Sequence, residues 1–234
     1  MAAGATPPDL LVDGEVRIKG RLPDSSNYTL LVELALDGET GLAVYKPLRG
    51  ERPLWDFPRG LYRREIAAYE LSRALGWELV PRTVPRDGPL GPGSIQQFVA
   101  ADFEQHYFTL VEHETHREAL RAICAFDLLA NNADRKSGHC LLGPEGHIWA
   151  IDNGLCFHAE PKLRTVIWEF GGEPLGAARI AALRRFLAGP LPASLAEWLE
   201  DDEQAALRAR AEALLRATRF PEPRGGRSYP WPLV

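Results

Sequence analysis

Two short polar runs carry most of the chemistry this sequence offers. The first, Asn131-Asn132-Ala133-Asp134-Arg135-Lys136-Ser137-Gly138-His139, follows a strongly apolar stretch that ends at Ala130. The second, Asp152-Asn153-Gly154, follows Trp149-Ala150-Ile151. Asn and Asp side chains that turn the chain explain one or two such residues. They explain poorly an Asp-Arg pair followed by a short hairpin and another acidic turn. Two acidic loops bracketing a hairpin could hold both a metal ion and an attacking hydroxyl. Magnesium needs few carboxylates, because phosphate oxygens and water complete its shell.

A second pair lies upstream. Lys46 ends the apolar run Leu42-Ala43-Val44-Tyr45. Glu65 lies on or beside the apolar stripe Leu61, Ala68, Leu71, Leu75 of the next predicted helix, so its carboxylate requires a partner. A strand lysine paired with a carboxylate on the following helix is how kinases hold nucleotide phosphates. Glu70 is the competing carboxylate, on the opposite helix face.

The elements that must position these residues follow from periodicity. Residues 14–46 read as three strands, with the polar turn Asp24-Ser25-Ser26-Asn27 and the hairpin signal Asp37-Gly38 between them. Helices are predicted over 60–75 and 115–130, and strands at Val80–Val84, Gly93–Val99, Cys140–Leu142 and His147–Ile151. Residues 175–188 and 194–217 read as helices, and Pro221–Val234 as a segment packed on the surface. Trp55, Trp77, Trp168 and Trp198 are expected as core anchors, with Trp55 and Trp168 also placed to line a substrate surface. The division expected is a leader over 1–9, a β-rich lobe with one helix over 10–100, a helical lobe over 101–220 and a Pro-rich tail over 221–234. Such an α+β order, strands first and helices after, leaves a cleft where ligands commonly bind.

Composition narrows the function classes. Lys plus Arg total 27 against 32 Asp plus Glu, a net charge of −5, which argues against a general nucleic-acid binder. No apolar run approaches twenty residues, so no membrane span is expected. The opening residues are neither basic nor followed by a long apolar stretch, which speaks against a secretory signal. Cys124, Cys140 and Cys156 form no CxxC pair and sit in apolar surroundings, where packing is their expected role. A reducing, cytoplasmic setting is expected.

The runs Asn132–His139 and Ala150–Phe157 together resemble the catalytic and metal-binding loops of the phosphatidylinositol 3-/4-kinase-like superfamily, which includes bacterial toxin kinases of persistence modules. Val44-Tyr45-Lys46-Pro47, Arg64-Glu65 and Gln96-Gln97-Phe98-Val99 occur in the matching order. Pro53–Pro58 and Lys162–Trp168 look characteristic of one mainly actinobacterial family of short kinase-like proteins, which lends no substrate. The likeness spans roughly residues 10 to 232.

The resemblance implies a bilobal protein-kinase-like fold with a nucleotide cleft. It implies an atypical, ATP-dependent kinase that uses magnesium or manganese and moves the γ-phosphate to a protein Ser/Thr or a small polyol. Lys46 would contact the α-phosphate with Glu65 as its partner. Ser25, Ser26 and Asn27 would cover the phosphates, and Gln97, Phe98 and Val99 would meet adenine. Asp134 would orient or deprotonate the acceptor, with Arg135 steadying that loop or the developing charge. Asp152 would hold the metal. His139 stands where a second ligand, usually Asn, is expected. A ring nitrogen suits manganese better than magnesium. Two alternatives share the same pocket: a nucleotide-binding pseudokinase acting as a regulatory module, and an AMP transferase.

Overall fold

A computed structural model describes residues 9–23, 27–223, 225 and 227–234. The phosphate-turn residues Ser25 and Ser26 lie outside the described residues. The chain divides into two compact units, one ending at Tyr62 and resuming over Arg82–Phe98, the other comprising Arg63–Pro81 and Val99–Val234.

The first unit is an antiparallel five-stranded sheet in the order β1-β2-β3-β5-β4. Its strands are β1 Glu15–Arg21, β2 Leu30–Leu36, β3 Glu39–Pro47, β4 Thr83–Gly88 and β5 Gly91–Gln97. Alternation along β2 sends Leu30, Val32 and Leu34 to one face. There they join Ala43, Tyr45 and Ile95 in a buried cluster, completed by Leu11 of the short helix α1, Leu10–Asp13. Asp37 and Gly38 both take positive φ, 50° and 87°, as the predicted two-residue hairpin turn requires. The β4–β5 turn is tighter than the sequence suggests. The strands run on until Gly88 pairs with Gly91, leaving only Pro89 and Leu90 to turn. Gly93 has no room for a side chain, since a Cβ there would stand 2.4 Å from the Lys46 carbonyl oxygen.

Helix α2, Leu61–Leu75, begins where Glu51 accepts from the backbone N–H groups of Gly60 and Tyr62, at 2.8 and 3.0 Å. Those bonds satisfy donors that a helix start leaves open.

The second unit holds most of α2, then α3 Tyr107–Leu110, α4 Glu114–Ala130, the hairpin β6 Cys140–Leu142 and β7 Ile148–Ala150, α5 Ala177–Leu187, α6 Ala193–Ala196 and α7 Asp201–Ala217. Ala68, Leu71 and Leu75 of α2 meet Leu120, Ile123, Phe126 and Leu129 of α4 and Leu207, Ala211 and Leu214 of α7 in one core. The stretch 194–217, predicted as one helix, is two. Leu195 and Leu199 turn into the core, and α7 restarts with Glu203 accepting from the N–H of Glu200 at 3.1 Å. Trp55 is no core anchor: it is 91 % exposed, on a loop between Pro53 and Pro58 that lies outside the strands. Trp77, Trp168 and Trp198 are half-buried. Among the described residues, no helix is long and apolar enough to cross a membrane.

Candidate active site

Helix α4 ends on Asn131, which takes the left-handed conformation at φ 53° and releases the chain into the first polar run. Asn131 is consumed in shaping that exit. Its amide donates to the carbonyls of His158 and Glu160, and its oxygen accepts from the N–H of Lys162. Asn132 is equally occupied, donating to Asp127 at 3.1 Å and accepting from the N–H of Asp134 at 2.9 Å. Both asparagine side chains are thus engaged in shaping the loop.

Arg135 is the anchor of the loop, and it is fully buried. Its Nε donates to both Asp127 oxygens, at 3.0 and 3.1 Å. Its other nitrogens reach the Ile151 carbonyl at 2.6 Å and Asn153 Oδ1 at 2.7 Å. One guanidinium therefore ties α4 to both polar runs. Burial works against its charge, but the Asp127 carboxylate outweighs this and holds it protonated. Burial likewise pushes the Asp127 carboxyl up, and Arg135 pulls it back.

Asn153 is the second junction. Besides accepting from Arg135, it donates through its side chain to the Ala150 carbonyl, and its N–H donates to Glu65 at 3.1 Å. Glu65, 2 % exposed, thus holds the backbone of the residue after Asp152. Asp152 itself takes φ 56°, so the strained position is the aspartate and not the glycine two residues on.

Three candidate side chains gather at the surface of this scaffold. Lys136 Nζ lies 3.6 Å from Asp134, whose side chain is 29 % exposed. Burial pushes the Asp134 carboxyl up to about 6; Lys136 pulls the other way, and the charge of Asp152 adds to the rise. His139 Nε2 lies 3.4 Å from Asp152, which is half exposed. His139 Nδ1 accepts from the N–H of Lys136 at 3.3 Å. No three His, Cys, Asp or Glu side chains converge as a ready-made cage among the described residues. The half-exposed carboxylate of Asp152 is a hard oxygen donor of the kind a divalent ion takes when phosphate and water complete its shell.

The remaining candidates lie in or beside the first unit. Lys46 pairs with Ser94 in the sheet, on the face opposite the buried cluster and shared with Val44 and Leu31. Asn27 Oδ1 accepts from the N–H of Arg52 at 3.0 Å. The Gln97 N–H donates to the Arg82 carbonyl and the Phe98 N–H to that of Leu42, so both are held by the sheet. The Val99 carbonyl, in the second unit, accepts from Ala101. The structure thus gathers Asp134, Arg135, His139, Asp152 and Glu65 around one network. Sequence reading missed Asp127 and Asn153 as its hubs. The signal for Asp127 was a carboxylate within the otherwise apolar stretch Ala122–Ala130.

Known structures place this architecture in the kinase-like class. A hydra Fam20 solved with a sugar superposes with a TM-score of 0.60 at 14 % identity, over 89 % of this chain and 86 % of that one. The proinflammatory kinase CtkA of Helicobacter pylori superposes with a TM-score of 0.52 at 11 % identity, over 90 % and 94 %. At such identities the likeness concerns the fold. No family model matches the sequence. Protein Rv2133c of Mycobacterium tuberculosis is 40 % identical over an alignment of 262 positions, covering 95 % of this chain and 94 % of that protein. The chain belongs to the Rv2133c family.

Proposed function

We propose that this protein is an atypical, ATP-dependent phosphotransferase acting on a hydroxyl of a protein Ser/Thr or a small polyol. One observation carries the reading: a single buried guanidinium fixes the two loops that present Asp134 and Asp152. Such positioning is most of what phosphoryl transfer asks of a protein. Asp134 accepts the proton of the acceptor hydroxyl as its oxygen bonds to the γ-phosphorus. The bond from that phosphorus to the bridging oxygen breaks, and ADP leaves with the electron pair. Lys136, beside Asp134, offsets charge on the transferred group. Asp152, with His139 beside it, would hold a magnesium or manganese ion, whose charge would offset that of the phosphates. Lys46 toward the α-phosphate, and Gln97, Phe98 and Val99 toward adenine, keep the roles that the superfamily resemblance implies.

Thermal unfolding with ATP and either metal tests the nucleotide. At 100 times Kd, the stabilisation is about 2.7 kcal/mol, a rise of about 5–10 °C for a chain of this size. The rise is expected in the parent and is expected to vanish in Asp152→Ala. If ATP shifts the parent with neither metal, the nucleotide reading falls. Intact mass of an acceptor after incubation then separates a phosphate from an AMP adduct. Metal-dependent binding without turnover of any acceptor would favour the pseudokinase, a reading that the His139–Asp152 contact supports.

A further inference from the structure

The catalytic-loop candidate is bordered by two segments far away in sequence. Segment 164–168 runs alongside it: the N–H of Arg164 donates to the Asn132 carbonyl, that of Arg135 to Arg164, and that of Val166 to Arg135. Segment 228–233 then lies against both. The Ser228 carbonyl accepts from the N–H of Thr165 at 3.1 Å and from the indole Nε1 of Trp168 at 3.1 Å. The Leu233 carbonyl accepts from the N–H of Ser137 at 2.8 Å, three residues past Asp134. Ser137 is fully buried and its hydroxyl has no partner among the described residues, so the amide makes its bond to the strap. Burial alternates over 228–231, with Ser228 and Pro230 buried and Tyr229 and Trp231 exposed; Pro232 is exposed as well, and the half-buried Leu233 packs on the helical core. A polar surface tail would show no such alternation.

We propose that segment 228–233 is a positioning strap that holds the 134–139 loop in its working conformation, with Leu233 as its anchor and Trp168 as its clasp. The strap closes the far side of a loop whose near side Arg135 already fixes. Its side chains lie outside the reacting groups, so it acts through the backbone of Ser137 and Thr165. For catalysis the inference rests on the phosphotransferase reading; for loop order it does not.

Hydrogen exchange resolved by mass spectrometry tests it on the full chain. Leu233→Ala removes the anchor, and Trp168→Phe keeps an aromatic ring, though a smaller one, but removes the bond to Ser228. Exchange at the amides of residues 135–139 is expected to rise about tenfold in Leu233→Ala and less in Trp168→Phe, in line with the net worth of one or two hydrogen bonds. Amides of α4 and α7 are expected to keep their protection. Phosphotransfer should lose kcat while KM for ATP stays within about twofold, because the nucleotide contacts are untouched. Unchanged loop exchange in both variants would overturn the strap, and so would a rise shared equally by the whole helical unit. A localised rise in the variants, together with a parent that transfers no phosphate, would uphold the strap and count against the phosphotransferase reading.

Discussion

Asp134→Asn is expected to abolish phosphotransfer and to make the protein more stable at neutral pH. Proton acceptance by a positioned side chain contributes about 10²–10⁴-fold in rate, and asparagine cannot supply it. The stability gain follows from the same burial. The folded carboxyl titrates at about 6, against 3.8 for an ordinary aspartate. As pH rises between those values the unfolded chain has already lost its proton and the folded one has not. Stability is therefore lost across that window, and the full penalty stands above pH 6 or so. The two pKa values correspond to a penalty on the order of 2–3 kcal/mol. Thermal unfolding with a chelator present should show parent and variant alike below about pH 4, and the variant higher at about pH 8. An active variant would remove Asp134 from the chemistry. A variant no more stable at the higher pH would mean that the carboxylate is not strained by its site.

The same linkage shapes the rate profile. An Asp134 that must be ionised to accept a proton predicts a rate that rises with pH through about 6 in the parent. Acceptor phosphorylation followed between about pH 5 and 8 checks this, and a flat profile would show that another step limits the rate.

What was legible in the sequence was what depends on neighbours along the chain. The apolar run of β2, the Asp37-Gly38 turn, the apolar stripe of α2 and the polar exits after Ala130 and Ile151 all express local period or turn chemistry, and the structure has each of them. Glu65 was legible as a carboxylate on an apolar face. Its bond to the Asn153 backbone was not, because a backbone donor leaves no mark on residue type. The tie between Ser137 and Leu233 was hidden for the same reason. Trp55 misled because an aromatic side chain is usually buried, whereas in this loop it is Phe57, two residues on, that turns inward. Asp127 shows the reverse lesson: one polar residue on an apolar stripe signals a buried network before any partner is known.

That network leads to the largest expected stability effect. Arg135→Met is expected to destabilise the protein by about 3–5 kcal/mol, because it leaves the buried Asp127 carboxylate without its cation. The loss is electrostatic more than steric, since methionine fills much of the same volume. Asp127→Leu in the same background removes the orphaned charge and should recover much of the stability. It should not recover activity. The Ile151 carbonyl and Asn153 would still lack the donor that holds the Asp152 loop, and Asn132 would lose its acceptor. Arg135→Lys is no rescue either, since one ammonium cannot span the separate directions that the planar fork reaches. Urea unfolding of the two single variants and the double variant closes the cycle. Near-additive losses would mean that Arg135 and Asp127 do not depend on each other. A strongly coupled pair whose stable double variant is inactive would separate what folds this loop from what aims it, and assign the aiming to the guanidinium.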